Sequence, residues 1–568
     1  MRKKLLVLLG FHACWGVVLA LSISKYGLGV STDATAYMFA GVNWIRGDGL
    51  IDFSGGGYVL WPPLYPMLIG FLHLTGLSAF AAAHVIQFAA YALAAYASSA
   101  LLLKLFPDDF AFAFLGAFLI AVAPVSISTF LMVGTDYLFM LFPIAAALLL
   151  QRYSEKGDWA SLTLLGLTAS LAMLTRYIGY ALVLSALTAV LFASSGPPLK
   201  RILRAAYAGM FSLVPFLWML NTWLATNGLR RPPLSFSEYA AQFTAGVIAM
   251  FTVNVPDAAN ITMLHHWMVW GWVVLAAILL FVLSRRVKVF TPMTIFLFGF
   301  GMIYTAALFG TALIAYFNRL WGRFQLPDYV PVIVLFLLVI GHGLRYLRER
   351  RSGWFVPAAL LGAGFLLFIS VLQFNRTVLL LRDAVHGIIP ENGVNTQEMN
   401  ENSIIRYWKE NPPEGAYRLF ANYPAAAAFH TRHSAQASPR KTPVYGDEVY
   451  PLEDYIGYLF PDDQPVYLLW IEPNVYEHVY LPHELAPIAE IEVIFENEDG
   501  GIYRLHPARQ AFACMQGTER PCAHGERKPE RHGAIKEGDD HRLAPVDVQR
   551  TQCKRHDAFD DANAGRRG

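Results

Sequence analysis

Apolar residues gather in about eleven long runs over the first two thirds of the chain. They lie near 5–24, 80–103, 110–130, 135–151, 159–175, 177–194, 205–225, 264–284, 290–317, 328–345 and 354–373. A helix needs roughly 20 apolar residues to cross the hydrocarbon core of a bilayer, and these runs reach or approach that length. They predict a mainly α, polytopic membrane helix bundle over residues 1–373. The first run follows Arg2, Lys3 and Lys4, as a signal peptide would. No A-x-A site ends it and ten more runs follow, so it reads as an uncleaved anchor.

Past residue 374 the pattern changes. Residues 398–411 read as a helix, and Tyr417–Ala421 and Val466–Trp470 as short buried strands. Ile491–Phe495 and Ile502–Leu505 flank Glu498-Asp499-Gly500-Gly501, which reads as a hairpin turn. These elements predict a small α/β domain over 374–507. Residues 508–568 are polar and aperiodic and are expected to be disordered. Cys514, Cys522 and His524 lie there, at a spacing that fits no zinc pattern well. Between the first two runs, residues 25–79 form a long loop. It holds an amphipathic stretch at 33–46, the Gly55-Gly56-Gly57 run and Trp61-Pro62-Pro63-Leu64-Tyr65-Pro66. Its apolar 67–79 segment is too short to span and is expected at the interface.

Composition agrees with the membrane reading. Apolar residues make up 55% of the chain and charged residues 15%, against about 25% charged in soluble proteins. The net charge is +2 and no basic block suits nucleic acid. Threading eleven spans from a cytoplasmic N-terminus puts about sixteen Lys and Arg on one side. The other side receives Lys25, Arg46, Arg176, Arg230, Arg231, Arg319 and Arg323. The positive-inside rule makes the richer side cytoplasmic. The α/β domain is then extracytoplasmic, and a bacterial-type cytoplasmic membrane is the expected location.

This sidedness directs attention to the charges on the outer face. Asp33, just after the first run, reads either as an N-cap together with Thr32 or as a general base at the membrane surface. Asp136 opens the fourth run, where capping and the helix dipole explain an acid equally well. The two acids share a side and could divide roles or share a divalent cation. Arg176, Arg319 and Arg323 stand where the charge rule disfavours them, which points to an anionic phosphate. His265 and His266 read as interfacial, and Asp48 and Asp52 as solvated loop acids.

The set resembles the GT-C class of membrane glycosyltransferases, in particular the Rgt-like, protein-mannosyltransferase-related group that uses polyprenyl-phosphate sugars. The resemblance rests on Asp33 after the first span, Pro62 to Pro66, Thr135-Asp136, Thr175-Arg176-Tyr177-Ile178-Gly179, and Arg323 to Pro327. Ala421 to Ala425 and Asp499 to Leu505 are similar to segments of the outer domain of that group. Two positions depart from it. Ala34 follows Asp33 where many relatives carry a second acid, and Trp61 precedes Pro62 where His is frequent. The resemblance implies transfer of a sugar from a polyprenyl-phosphate donor to a hydroxyl of a lipid, glycan or protein, with inversion. It implies Asp33 as base, Asp136, Arg176, Arg319, Arg323 and Tyr65 as substrate-binding residues, and leaves a divalent cation on Asp33 and Asp136 open. The alternative class is a transporter or flippase of a lipid-linked saccharide. That class calls for polar groups at mid-bilayer or repeated, broken helices.

Overall fold

The computed structural model describes residues 2–58, 60–225, 235–251, 260–284, 291–314, 322–388, 393–442, 449–473 and 478–508. Arg230, Arg231, Arg319 and the 508–568 tail beyond Ala508 lie outside them. Helices run in chain order as α1 (Arg2–Ser22), α2 (Thr32–Arg46), α3 (Leu64–His73), α4 (Ala79–Leu105), α5 (Phe110–Ala121), α6 (Pro124–Phe130), α7 (Asp136–Lys156) and α8 (Trp159–Thr175). They continue as α9 (Tyr180–Ala193), α10 (Pro198–Met210), α11 (Leu213–Ala225), α12 (Phe236–Phe251), α13 (Met263–Ser284), α14 (Pro292–Ile314), α15 (Gly322–Glu349) and α16 (Phe355–Val385).

Among the described residues, six helices are long and apolar enough to cross a bilayer, or eight if each of two bent pairs is one span. The eleven apolar runs therefore do not map one to one onto straight spans. The 110–130 run breaks into α5 and α6 at a 47° bend, next to Pro124, which lacks the N–H that would continue the helix. The 205–225 run lies within a second pair, α10 and α11, bent by 58°. The 159–175 and 177–194 runs form helices shorter than a full span, joined by a tight corner at Arg176–Gly179. The last run begins the 31-residue α16, which continues to Val385.

The 25–79 loop folds as α2 and α3, packed against each other. They cross at Gly41 and Gly70, where a Cβ on Gly70 would stand 2.6 Å from the Gly41 carbonyl oxygen. Only glycine permits this approach.

The C-terminal part contains α17 (Gln397–Glu401), α18 (Ser403–Glu410), α19 (Pro424–Thr431) and α20 (Ile456–Leu459). Its strands are β1 (Arg418–Ala421), β2 (Gln436–Ala437), β3 (Val466–Ile471), β4 (Ala489–Asn497) and β5 (Gly500–Pro507). They form one sheet in the order β2-β1-β3-β5-β4, with β1 parallel to β2 and β3 and with β5 antiparallel to both its neighbours. The turn read at Glu498–Gly501 is the β4–β5 hairpin. β2 escaped the sequence reading because two residues carry no period.

Residues 1–511 are one compact unit, and main-chain bonds tie the sheet region to the bundle. Val394 N donates to Val30 O at 2.7 Å, Ala435 N to Phe53 O at 2.9 Å, and Asn395 Nδ2 to the Tyr26 and Leu28 carbonyls. Buried His430 joins this seam. Its Nε2 lies 2.8 Å from Val394 O and its Nδ1 3.2 Å from Lys409 Nζ, so the ring donates at Nε2 and accepts at Nδ1.

Candidate active site at one end of the bundle

The site begins with backbone pairing between two connections distant in sequence. Gly29 N donates to Leu131 O at 2.7 Å, and Val133 N donates to Gly29 O at 2.8 Å. Gly29 and Met132 thereby form a parallel bridge. Asp33 lies four residues past Gly29 and Asp136 four residues past Met132. The bridge brings the start of α2 beside the start of α7, and the two acids with them. Buried Gln87 of α4 holds the second connection in place, its Nε2 donating to the carbonyls of Thr129, Phe130 and Met132.

Asp33 is not the cap of α2. Ser31 has the extended N-cap conformation and its hydroxyl accepts from Ala34 N at 3.2 Å. Asp33 stands two residues past the cap, in the first turn, half-buried, its carboxylate within electrostatic reach of Arg323, Asp136 and Arg176. Burial pushes its pKa above the ordinary carboxylate value. Arg323 draws it down, Asp136 pushes it up, and Arg176 and the Trp61 indole draw it down more weakly. The net direction is upward, which makes Asp33 a stronger base than a solvated aspartate once its proton is lost.

Trp61 therefore has a place in the site as a hydrogen-bonding neighbour of Asp33. Behind Asp33, the Tyr37 ring meets Tyr58, Trp61 and Tyr65 edge-on, at centroid distances of 6.2, 5.8 and 5.4 Å. Tyr65 is fully buried. Its ring packs edge-on against Tyr37.

Asp136 does more than favour the dipole of α7. Its Oδ1 pairs with Arg176 Nη1, and the two side chains are only 13% and 18% exposed. The same Nη1 reaches Thr135 Oγ1 at 3.4 Å. Arg176 comes from the extended residue that ends α8, at the corner made by the Tyr177–Gly179 turn. Arg323 comes from the first turn of α15. The Cζ atoms of Arg176 and Arg323 each lie 5.3 Å from the ring centre of Phe324.

Thus Asp33, Asp136, Arg176 and Arg323 come together from the ends of α2, α7, α8 and α15. His265 and His266 stand apart from this group: Thr262 bonds to His265 Nδ1, and Thr244 to His266 Nδ1. Asp52 bonds to Ser54 within its own loop. Asp136 Oδ1 already engages Arg176, so a cation shared by the two acids would compete with that arginine. Among the described residues there is no cluster of three or more His, Cys, Asp or Glu side chains able to hold a metal ion.

Sequence reasoning missed Trp61, Phe324 and Tyr304 as parts of the site. It also missed Asp328, which it placed at the opening of a span. α15 starts six residues earlier, and Asp328 is buried within it, 7% exposed.

Residues 61–223 match the model of the dolichyl-phosphate-mannose-protein mannosyltransferase family. The fold is similar to that of ArnT from Cupriavidus metallidurans in the apo state, at a TM-score of 0.54 and 14% identity, over 89% of this chain and 98% of that one. It is equally similar to ArnT from Cupriavidus metallidurans bound to undecaprenyl phosphate, at 0.54 and 14%, over 88% and 97%. No curated protein matches by sequence. The resemblance to the GT-C membrane glycosyltransferases holds, and this chain has their fold.

Proposed function

We propose that the protein is a membrane glycosyltransferase that moves a sugar from a polyprenyl-phosphate donor to an acceptor hydroxyl, with inversion at the anomeric carbon. The observation that carries this reading is the meeting of one base of raised pKa with two arginines at the ends of membrane helices. The family match over 61–223 and the ArnT-like fold support the reaction class. The solved complex of ArnT with undecaprenyl phosphate supports a prenyl phosphate as the donor's lipid.

The chemistry follows from the charges. The acceptor O–H gives its proton to the Asp33 carboxylate as its oxygen attacks the anomeric carbon. The bond from that carbon to the phosphate oxygen breaks, and the phosphate leaves with the electron pair. A polyprenyl-phosphate sugar is a phosphodiester with one negative charge, and its leaving group is a monoester that gains a second. Arg176 and Arg323 therefore bind the departing phosphate more strongly than the bound donor, as transition-state stabilisation requires. Asp136 orients Arg176. A phosphate is a good leaving group, so no general acid is needed.

The prenyl chain contributes about 0.8 kcal/mol for each buried CH₂, which keeps the donor in the bilayer and requires a site at its surface. On the charge rule that surface is the outer one. The acceptor, a lipid, glycan or protein hydroxyl, would approach between the 25–79 loop and the sheet region of residues 374–507. Purified protein incubated with radiolabelled polyprenyl-phosphate sugars should release prenyl phosphate and a glycoside of inverted configuration, and Asp33→Asn should abolish both. Near-normal transfer by Asp33→Asn excludes Asp33 as base. Failure of every sugar donor to bind or turn over overturns the reading.

A further inference from the structure

Bringing two guanidinium groups together costs repulsion, and the structure answers it in an unusual way. Arg176 is paired with Asp136. Arg176 and Arg323 also share one neighbour, the Phe324 ring, from which each Cζ lies 5.3 Å. The two charges reach that ring from places far apart in sequence, one from the end of α8 and one from the adjacent residue of α15. An aromatic face attracts a cation, and more strongly where the pair is desolvated. Unlike a carboxylate, it orients a guanidinium while leaving its charge and N–H donors for an anion.

The turn that carries Phe324 is itself held from α14 by two successive residues. Tyr304, 1% exposed, donates its hydroxyl proton to the Phe324 carbonyl at 2.8 Å. Thr305 donates to Asp328 Oδ2 at 3.0 Å. Asp328 Oδ1 is buried without a hydrogen-bond partner. An ionisable side chain inside a spanning helix is expensive, and the reaction described above has no use for this one. Its one bond pins the second turn of α15 to α14.

We propose that Phe324 is a positioning residue that sets the Arg176 and Arg323 guanidiniums on a single phosphate of the prenyl donor. The Tyr304–Phe324 and Thr305–Asp328 bonds fix the helical turn on which it stands. This rests on the reading of the two arginines as phosphate receptors, and it adds what places them.

The test uses the full chain in lipid nanodiscs, with undecaprenyl phosphate as the titrated ligand. Phe324→Leu removes the ring but keeps apolar bulk, and should weaken binding about tenfold. Phe324→Trp restores a cation-binding face and should bind within about threefold of wild type. Tyr304→Phe keeps its ring and deletes the bond to the Phe324 carbonyl, so it tests the same device if Phe324→Leu fails to fold; it should weaken binding by a smaller factor. In turnover, Phe324→Leu should raise the donor KM more than it lowers kcat. Equal affinity of Phe324→Leu and wild type, with Arg323→Met and Arg176→Met binding poorly, overturns the role of Phe324 and leaves the arginine reading standing. Normal binding by both arginine variants, or none by wild type, overturns that reading and this inference with it.

Discussion

The two ends of the helix bundle handle charge differently. At the end opposite the site, ion pairs are loose and wet. Lys104 and Glu155 stand 3.8 Å apart with side chains 39% and 48% exposed, and Arg152 and Asp158 3.9 Å apart. Lys4 Nζ and Arg201 Nε bond to the Pro107 and Gly196 carbonyls at exposed positions. At the site end, Arg176 and Asp136 are less than one-fifth exposed, Asp33 faces both arginines, and aromatic rings fill the gaps. Exposed pairs contribute about 0–1 kcal/mol, so the first end needs no particular partners. Partly desolvated charges must have them. The contrast separates charges that must be partnered from charges that only anchor helix ends.

The sharpest way to break this contrast is at Asp33. Asp33→Asn should lower transfer by about 10²- to 10⁴-fold while undecaprenyl phosphate still binds, read by product release and by lipid titration. Next is the buried pair. Arg176→Met leaves the Asp136 carboxylate desolvated and alone and should cost about 3–5 kcal/mol of stability. The double variant Arg176→Met/Asp136→Leu should recover much of the lost thermal midpoint. If Arg176→Met leaves the midpoint unchanged, the pair is no more consequential than a surface one.

The same desolvation acts at the seam between sheet and bundle. Burial, then the neighbouring Lys409, lowers the His430 pKa from 6.5 to about 4. Between those values the unfolded chain binds a proton that the folded chain does not. Stability is therefore full above pH 6.5 and is lost as pH falls toward 4, by about 3 kcal/mol. Hydrogen exchange at Val394 and Asn395 should quicken across that window, and His430→Asn should remove this dependence.

A smaller displacement is expected in the pH–rate profile. With Asp33 as the proposed base, activity requires its unprotonated form, and its pKa is raised, so the acid limb of kcat/KM should fall above the pH usual for a carboxylate. A limb at the ordinary aspartate position would detach that titration from Asp33. The smallest effect belongs to the opposite end, where Lys104→Ala should change stability by no more than about 1 kcal/mol and leave transfer unaltered.

Much of this was legible in the chain because the relevant signals are local. Long apolar runs marked the helices, the Asp499-Gly500 turn marked the hairpin, and placement against the charge rule singled out Arg176 and Arg323. The number of straight spans was not legible, because hydropathy does not register a break such as that at Pro124. Nor was the N-cap of α2: Ser31, Thr32 and Asp33 all suit that position, and only backbone geometry assigns it to Ser31. Asp328, the first residue of the 328–345 run, lies within α15, which begins at Gly322.

By itself, then, the sequence determined that the first two thirds of the chain are mainly apolar helices long enough for a membrane, that a strand-bearing region follows, and which acids and arginines were candidates. Period and composition suffice for that, because crossing a bilayer is a property of single segments. Only the tertiary structure decided that these candidates meet. The Gly29–Met132 bridge sets Asp33 beside Asp136, and Arg176 and Arg323 meet at the Phe324 ring across 147 positions of sequence. Such contacts depend on how helices pack, and no local pattern encodes the partner that a buried charge will find.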